Sequence, residues 1–256
     1  MFNANKTIQR TIASCLNQTF IDFEILVIDD CSSDNSCELV EEIIKNNSKF
    51  NIQLYSMSQN SGPSRCRNKG WDNACGEYIA FLDSDDIWNK NKLAIIFYYL
   101  EILDSPAILA HEYTNKQEFI KKYLDKYNYV IKKYNFYNIL LKNISQTSAV
   151  VISGNVLERF DANMRYTEDH DLWLRVSFKN DVFLLQGDAM TILGRPQLSA
   201  GGLSGNKIRM RLGEMKMYLK SAKYSRISFI LMPILIIYSF FKYLRILFIQ
   251  VQSSHS

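Results

Sequence analysis

The sequence predicts an α/β fold with a mostly parallel central sheet flanked by helices and with amphipathic helices at the C-terminal end. Three observations predict it. Strand-length apolar runs alternate with segments of helical period through the first hundred residues. The runs are nearly continuous in apolar character, as in strands covered on both faces. Acidic clusters stand directly after two of them, where a sheet of this kind binds its ligands.

The elements follow in order. Ile8, Ile12 and Leu16 recur every four residues, as on one helix face. Phe23 to Ile28, "FEILVI", has strand length and ends at "DDCSSDNS". Asp34 or a neighbouring serine can cap the next helix, whose inner face is marked by Leu39, Val40, Ile43 and Ile44. "IQLYSM" is a second strand, "SGPSRCRNKGWDNA" a loop and short helix, and "EYIAFL" a third strand. "KLAIIFYYLEIL" predicts a helix and "PAILAH" a strand. The lysine- and tyrosine-rich stretch "FIKKYLDKYNYVIKKYNFYNILLKN" carries aromatics at helical spacing and predicts an amphipathic surface helix rather than a nucleic-acid contact. "SAVVIS" and "DVFLLQ" are strands. Between them "EDHDLWLRVSF" is a helix starting near Glu168, with acids in its first turn and Leu172 and Val176 on one face. "RPQLSAGGLSGN" predicts a mobile loop, and a basic helix runs from Lys207 to Lys223.

Composition narrows the class. The chain has 256 residues, enough for one large domain or for one domain with an appendage. Its five cysteines (Cys15, Cys31, Cys37, Cys66, Cys75) form no C-x-x-C pair, so a reduced compartment and buried small side chains are expected rather than a disulfide framework or a zinc site. "MFNANKTIQRTI" holds no apolar core of a secretory signal. From residue 195 onward there are ten Lys or Arg and a single acid, Glu214, which leaves 20 bases and 25 acids upstream. A body of net charge −5 therefore carries a tail of +9, suited to an anionic surface. Within the tail, Ile227 to Phe241 is free of charge but only 15 residues long, and Pro233 interrupts it. A spanning helix needs ~20 apolar residues, so an in-plane anchor is expected, with packing on the body or on another subunit as the alternative.

The two acidic clusters, Asp29-Asp30 and Asp83-Ser84-Asp85-Asp86, fall on one rim of the predicted sheet. Carboxylates crowded there favour a hard divalent cation, Mg²⁺ or Mn²⁺, completed by phosphate oxygens and water. An isolated D-x-D is a weak signal, because acidic turns are common. Its position after a strand, with a second pair on the same rim, strengthens it.

Three segments in order, "LNQTFIDFEILVIDDCSSDNS", "NSGPSRCRNKGWDNACGEYIAFLDSDDIW" and "TEDHDLWLRVS", closely resemble the family-2 inverting glycosyltransferases of GT-A fold, over roughly residues 2 to 190. The resemblance implies a transferase using a nucleotide-diphosphate sugar, with a UDP-sugar as the expected donor and a glycan or lipid-linked acceptor of cell-surface polysaccharide, lipopolysaccharide included. By it Asp169 is the general base, with Glu168 as the neighbour that shapes it. Asp30 contacts the base of the nucleotide, Arg67 pairs with the diphosphate or else forms a structural salt bridge, and Ser84 helps hold the ribose or a metal water. Asp83 and Asp85 are the D-x-D acids, with Asp85 the direct ligand of Mn²⁺ or Mg²⁺. Asp29 and Asp86 are read as turn or cap residues, Asp171 as a helix-face charge, His170 as a solvated or paired histidine, and Trp173 as packing. The implied organisation is 1–110 for the nucleotide sugar, 111–194 for the acceptor and base, and 195–256 for a mobile loop and membrane-associating tail. The expected place is cytoplasmic, peripheral on the inner face of the cell membrane, with no nucleic-acid partner.

The chain departs from that family at its start. Relatives open with a central strand of the type V-S-V-I-I-P, whereas here Phe2-Asn3 already resembles the Y-N segment that follows it. Loss of a central strand would unpair backbone groups, so the chain as written is expected to be weakly stable and poorly active, from an incomplete start or from decay. Two alternatives stay open: a catalytically impaired nucleotide-sugar binder or partner subunit, and a sugar nucleotidyltransferase, whose usual Gly-rich loop after the first strand is not seen here.

Overall fold

The computed structural model describes residues 1–116, 128–195 and 205–253, the last stretch from residue 242 as backbone only. The order is α1 (Ile8–Leu16), β1 (Ile25–Asp29), α2 (Ser36–Asn46), β2 (Ile52–Ser56), α3 (Pro63–Asn73), β3 (Tyr78–Ala80), β4 (Ile87–Trp88), α4 (Lys92–Ile102), β5 (Ile108–His111) and β6 (Tyr113–Thr114). It continues with β7 (Val130–Tyr134), α5 (Phe136–Leu141), β8 (Val150–Ser153), α6 (Glu168–Ser177), β9 (Val182–Gln186), β10 (Thr191–Ile192), α7 (Lys207–Ser221) and α8 (Arg226–Ser253).

A five-stranded sheet in the order β3-β8-β5-β9-β7 forms the centre. Strand alternation splits its side chains between two layers. Leu109, Val151 and Leu185 meet Ile95, Ile96 and Leu100 of α4 on one face. Ile108, Val150, Ile152, Val182 and Leu184 meet Leu172, Trp173 and Val176 of α6 on the other. The helices thus flank the sheet as expected, but its pairing is more mixed than the alternation of elements predicts. β5 pairs in parallel with β9, whereas β8 is antiparallel to both β3 and β5, and β7 is antiparallel to β9. β5 also crosses the predicted boundary between residues 110 and 111, so one sheet joins the two parts.

The lysine- and tyrosine-rich stretch departs from its predicted helix. Residues 117–127 lie outside the described residues. Beyond them Val130–Tyr134 is an edge strand against β9, and only Phe136–Leu141 is helical. Both faces of this edge strand are exposed, so Lys132 and Lys133 are tolerated on opposite faces, and lysines at the edge deter further pairing. The predicted mobile loop falls mostly within 196–204, also outside the described residues.

β1 and β2 form a separate parallel pair, packed on α1 and α2 through Ile8, Ile12, Val27, Val40 and Ile52. Among the described residues no strand joins this pair to the five-stranded sheet. A cleft of about 1660 Å³ lies there, lined by Ile25 to Ile28 on one side and Tyr78 to Phe81 on the other. Met1 stands at its mouth in the register of a parallel strand: its amino group donates to the Ile28 carbonyl, and Asp30 N donates to Met1 O at 2.8 Å.

α7 and α8 pair with each other through a buried polar knot: Glu214, 2% exposed, accepts from Arg211, Ser239 and Tyr218. α8 packs Leu231 and Leu235 against the core. Ser228 and Ser239 are buried, whereas Phe229, Ile230, Ile234, Ile237, Phe240 and Phe241 face out. Among the described residues no helix is long and apolar enough to cross a membrane.

Candidate active site

The same cleft borders Asp30, Arg67, Asp83, Ser84, Asp85, Glu168 and Asp169. Residues from the ends of β1, β3 and α6, far apart in sequence, thus meet at one rim.

The acidic turn after β3 is fixed by its neighbours. Asp83 N donates to the Ser148 hydroxyl at 2.9 Å. The Thr11 hydroxyl donates to the carbonyls of Ser84 and Asp86 at 3.0 and 2.9 Å. Ser148 is itself a hub, its carbonyl accepting from Trp88 Nε1, Lys92 Nζ and the Thr191 hydroxyl. Lys92 is fully buried over the Trp88 ring, and burial pulls its pKa well below the ordinary lysine value. Asp86 does not cap α4; its Oδ1 accepts from Gly194 N at 2.8 Å. Burial, with Asp83 beside it, pushes Asp86 up to about 7, against the Ser148 and Gly194 donors. Burial and the charge of Asp83 also raise Asp85, while Arg195 opposes them.

Asp83 and Asp85 remain partly open, their side chains 44% and 24% exposed. No group of three His, Cys, Asp or Glu that could hold an ion alone occurs among the described residues. Two partly open carboxylates are the donor type that a hard cation would take, with the rest of its shell from a ligand and water.

Arg67 lies where two parts of the site join. Its guanidinium donates to Asp83 at 2.8 Å and to Glu168 at 3.0 Å and lies over the Phe160 ring. Burial works against its charge, but Asp83 and Glu168 outweigh it and hold the group charged. Arg67 thus ties the D-x-D turn to the start of α6 with one N–H bond to each carboxylate. Asp30 is likewise engaged, its two oxygens accepting from Ser61 N at 2.6 Å and Gly62 N at 2.9 Å. Gly62 has φ +85°, a left-handed conformation that favours glycine. A ring N–H would share one of those oxygens, each of which has a second lone pair. Asp29 accepts from Ser32 N and its hydroxyl, as a turn residue.

α6 begins at Thr167, whose φ of 59° is costly for a β-branched residue. It turns Asp169 toward the cleft, where Asn143 Nδ2 donates to Asp169 Oδ2 at 3.0 Å and His170 N donates to Oδ1 at 2.7 Å. His170 is buried with Nε2 at the Ile139 carbonyl. Trp173 is fully buried between Phe81 and Phe160. Asp171 is a buried ion-pair partner of Arg175 and Lys220 rather than a surface charge. Cys15 and Cys66 are buried as expected, but Cys31 and Cys75 are exposed. Sequence reasoning missed Asn143, Ser148, Gly194 and Arg195, none of which stands in a motif.

Burial pushes Glu168 up to about 7; Arg67 pulls it down, and the Asp169 charge adds to the rise. Between its ordinary value near 4.5 and about 7, the folded chain binds more protons here than the unfolded chain. Stability from this group is therefore lost as pH rises through that window. Unfolding midpoints in urea should fall more between pH 5 and 8 for the natural chain than for Glu168→Gln; equal slopes would count against a buried, raised Glu168.

Comparison with known proteins finds relatives over most of the chain. The description of glycosyl transferase family 2 matches residues 1–167. An Escherichia coli protein, UDP-Glc:alpha-D-GlcNAc-diphosphoundecaprenol beta-1,3-glucosyltransferase WfgD, is 33% identical over 210 residues, 81% of this chain and 78% of the relative. A Campylobacter jejuni GalNAc(5)-diNAcBac-PP-undecaprenol beta-1,3-glucosyltransferase is 28% identical over 87% of this chain and 71% of its own length. The chain spans 28% of a longer Rickettsia conorii relative, an uncharacterized glycosyltransferase. Among solved structures, Staphylococcus aureus TarS 1-349 in complex with UDP-GlcNAc aligns with TM-score 0.69 at 20% identity, over 87% of this chain and 64% of that one. Likeness at that identity speaks to the fold.

Proposed function

Because the chain belongs to glycosyl transferase family 2, we propose that it moves a sugar, with inversion, from a UDP-sugar to a lipid-linked acceptor of a cell-surface glycan. The observation that carries this reading is the single cleft shared by the D-x-D turn and Asp169. Relatives named for diphosphoundecaprenol-linked acceptors support the acceptor class.

The chemistry proposed for the chain's own residues is a direct displacement. Asp169 takes the proton of the acceptor hydroxyl as that oxygen attacks the anomeric carbon from the face opposite the diphosphate. The new carbon–oxygen bond forms as the bond to the phosphate oxygen breaks, and its electrons leave with the nucleoside diphosphate. Asn143 holds the Asp169 carboxylate in place. Glu168 and Arg67 link this base to the donor side. Asp85 and Asp83 would hold Mn²⁺ or Mg²⁺, which supplies charge neutralisation at the departing diphosphate. Asp30 serves the nucleobase and Ser84 the ribose or a metal-bound water.

A screen of nucleotide sugars with a polyprenyl-diphosphate-linked sugar tests the assignment. The expected result is acceptor-dependent release of a nucleoside diphosphate that requires Mn²⁺ or Mg²⁺. Release of inorganic diphosphate would instead favour a nucleotidyltransferase, and binding without turnover an impaired binder.

The tail supports a second part of the proposal: association with an anionic membrane surface on the cytoplasmic side. α8 turns Ile230, Ile234 and Ile237 outward, and the segment from residue 195 carries ten bases. The substitutions Ile230→Glu, Ile234→Glu and Ile237→Glu together should cut co-sedimentation with phosphatidylglycerol vesicles about tenfold or more. Unchanged sedimentation would sink the anchor.

A further inference from the structure

Just past β10 the chain is clamped onto the acidic turn. Gly194 donates its N–H to Asp86, and a Cβ at this position would lie 2.0 Å from the Asp85 carbonyl oxygen. Only glycine permits that approach. The next side chain is thereby aimed at Asp85: Arg195 Nε lies 3.0 Å from Asp85 Oδ2. The Arg195 side chain is 58% exposed and that of Asp85 24%. On the other side Arg10 reaches only the backbone carbonyl of Asp85, at 3.1 Å.

Three carboxylates in four positions repel one another when nothing positive stands among them. Arg67 answers Asp83, and Arg195 answers Asp85. A guanidinium at contact distance and a divalent ion on the same carboxylate repel each other strongly. We propose that Arg195 is a resident counter-ion of Asp85, occupying the cation's seat until a divalent ion displaces it. This rests on the reading of Asp85 as the metal ligand. Arg195 then sets the affinity for the ion in the donor-free chain and keeps the turn in shape before loading. Gly194 is its positioning partner, because the close approach of that residue fixes where the guanidinium begins.

The test is Mn²⁺ binding to the full chain without nucleotide, followed by electron paramagnetic resonance of the free ion. Arg195→Gln removes the competing charge from an exposed position, and a thermal melt checks that the fold survives. The expected result is Mn²⁺ affinity tighter by about threefold to tenfold, the worth of a half-exposed charge-assisted pair. Unchanged or weaker affinity in Arg195→Gln overturns the proposal. Asp85→Asn separates the two readings. Loss of Mn²⁺ binding there supports Asp85 as the seat, whereas undiminished binding removes the metal reading and the counter-ion role with it. In the double variant the gain from Arg195→Gln should vanish, and a gain that persists places the effect elsewhere.

Discussion

Asp169→Asn is expected to lower kcat by about a thousandfold, the scale of a general base, while donor binding stays within about twofold of the natural chain. The side chain keeps its shape: its one carbonyl oxygen can still accept from the His170 N–H, while its new NH2 meets Asn143, whose amide must flip to accept through its unpartnered Oδ1. What it loses is the capacity to take a proton. Two calorimetric titrations with UDP-sugar and one acceptor-dependent rate decide the matter. Turnover retained at a tenth or more of the natural rate would remove Asp169 from the chemistry, and donor binding lost in parallel would point to a collapsed cleft. Asn143→Ala should behave differently. It leaves the base present but unsteadied, so kcat should fall about tenfold with little change in donor affinity.

The fold and half of the site were legible because they rest on local patterns. Apolar runs followed by acids mark strand ends whatever the pairing, so Asp30 and Asp83 could be assigned to one rim before any coordinates. The helical acids of α6 likewise announce a helix start. What stayed hidden depends on distant partners. Arg67 in "RCRNKG" reads equally as a diphosphate partner or a structural salt bridge, and its carboxylate partners, Asp83 16 residues away and Glu168 101 residues away, are not marked by any local pattern. Gly194 carries no sequence signal of its own, and only its contact with Asp85, 109 positions earlier, explains it. The segment Val130–Tyr134 misled for another reason. Its lysines and aromatics fit a helical wheel, but pairing with β9 satisfies its backbone and decides the strand. The antiparallel insertion of β8 has no sequence signal either, since a buried strand looks the same in both directions.

Five apolar residues fused ahead of Met1 should raise the melting temperature by about 5–15 °C, from about 2–5 kcal/mol of added stability. Ile25 N donates to Asn51 O and Asp29 O accepts from Met57 N, so the odd residues of β1 turn toward β2. Leu26 and Ile28 therefore turn their backbone groups toward the seam, where Met1 already meets Ile28 and Asp30. An extension would continue that register parallel to β1, between two apolar walls: Ile8 and Ile12 on the α1 side, Ile96 and Leu100 on the α4 side. Burying five valine or isoleucine side chains gives roughly 7–15 kcal/mol gross, the new ladder hydrogen bonds add about 1 kcal/mol each, and ordering five residues costs ~2 kcal/mol each, so the middle of these ranges leaves a few kcal/mol. The joined sheets would also bring the Asp30 and Asp83 strand ends onto one rigid frame, so donor affinity should rise with the melt. An extension of the same length made of serine and aspartate cannot fill the walls and serves as the control. If both extensions leave the melt within 2 °C of the natural chain, an apolar strand does not seat in this cleft.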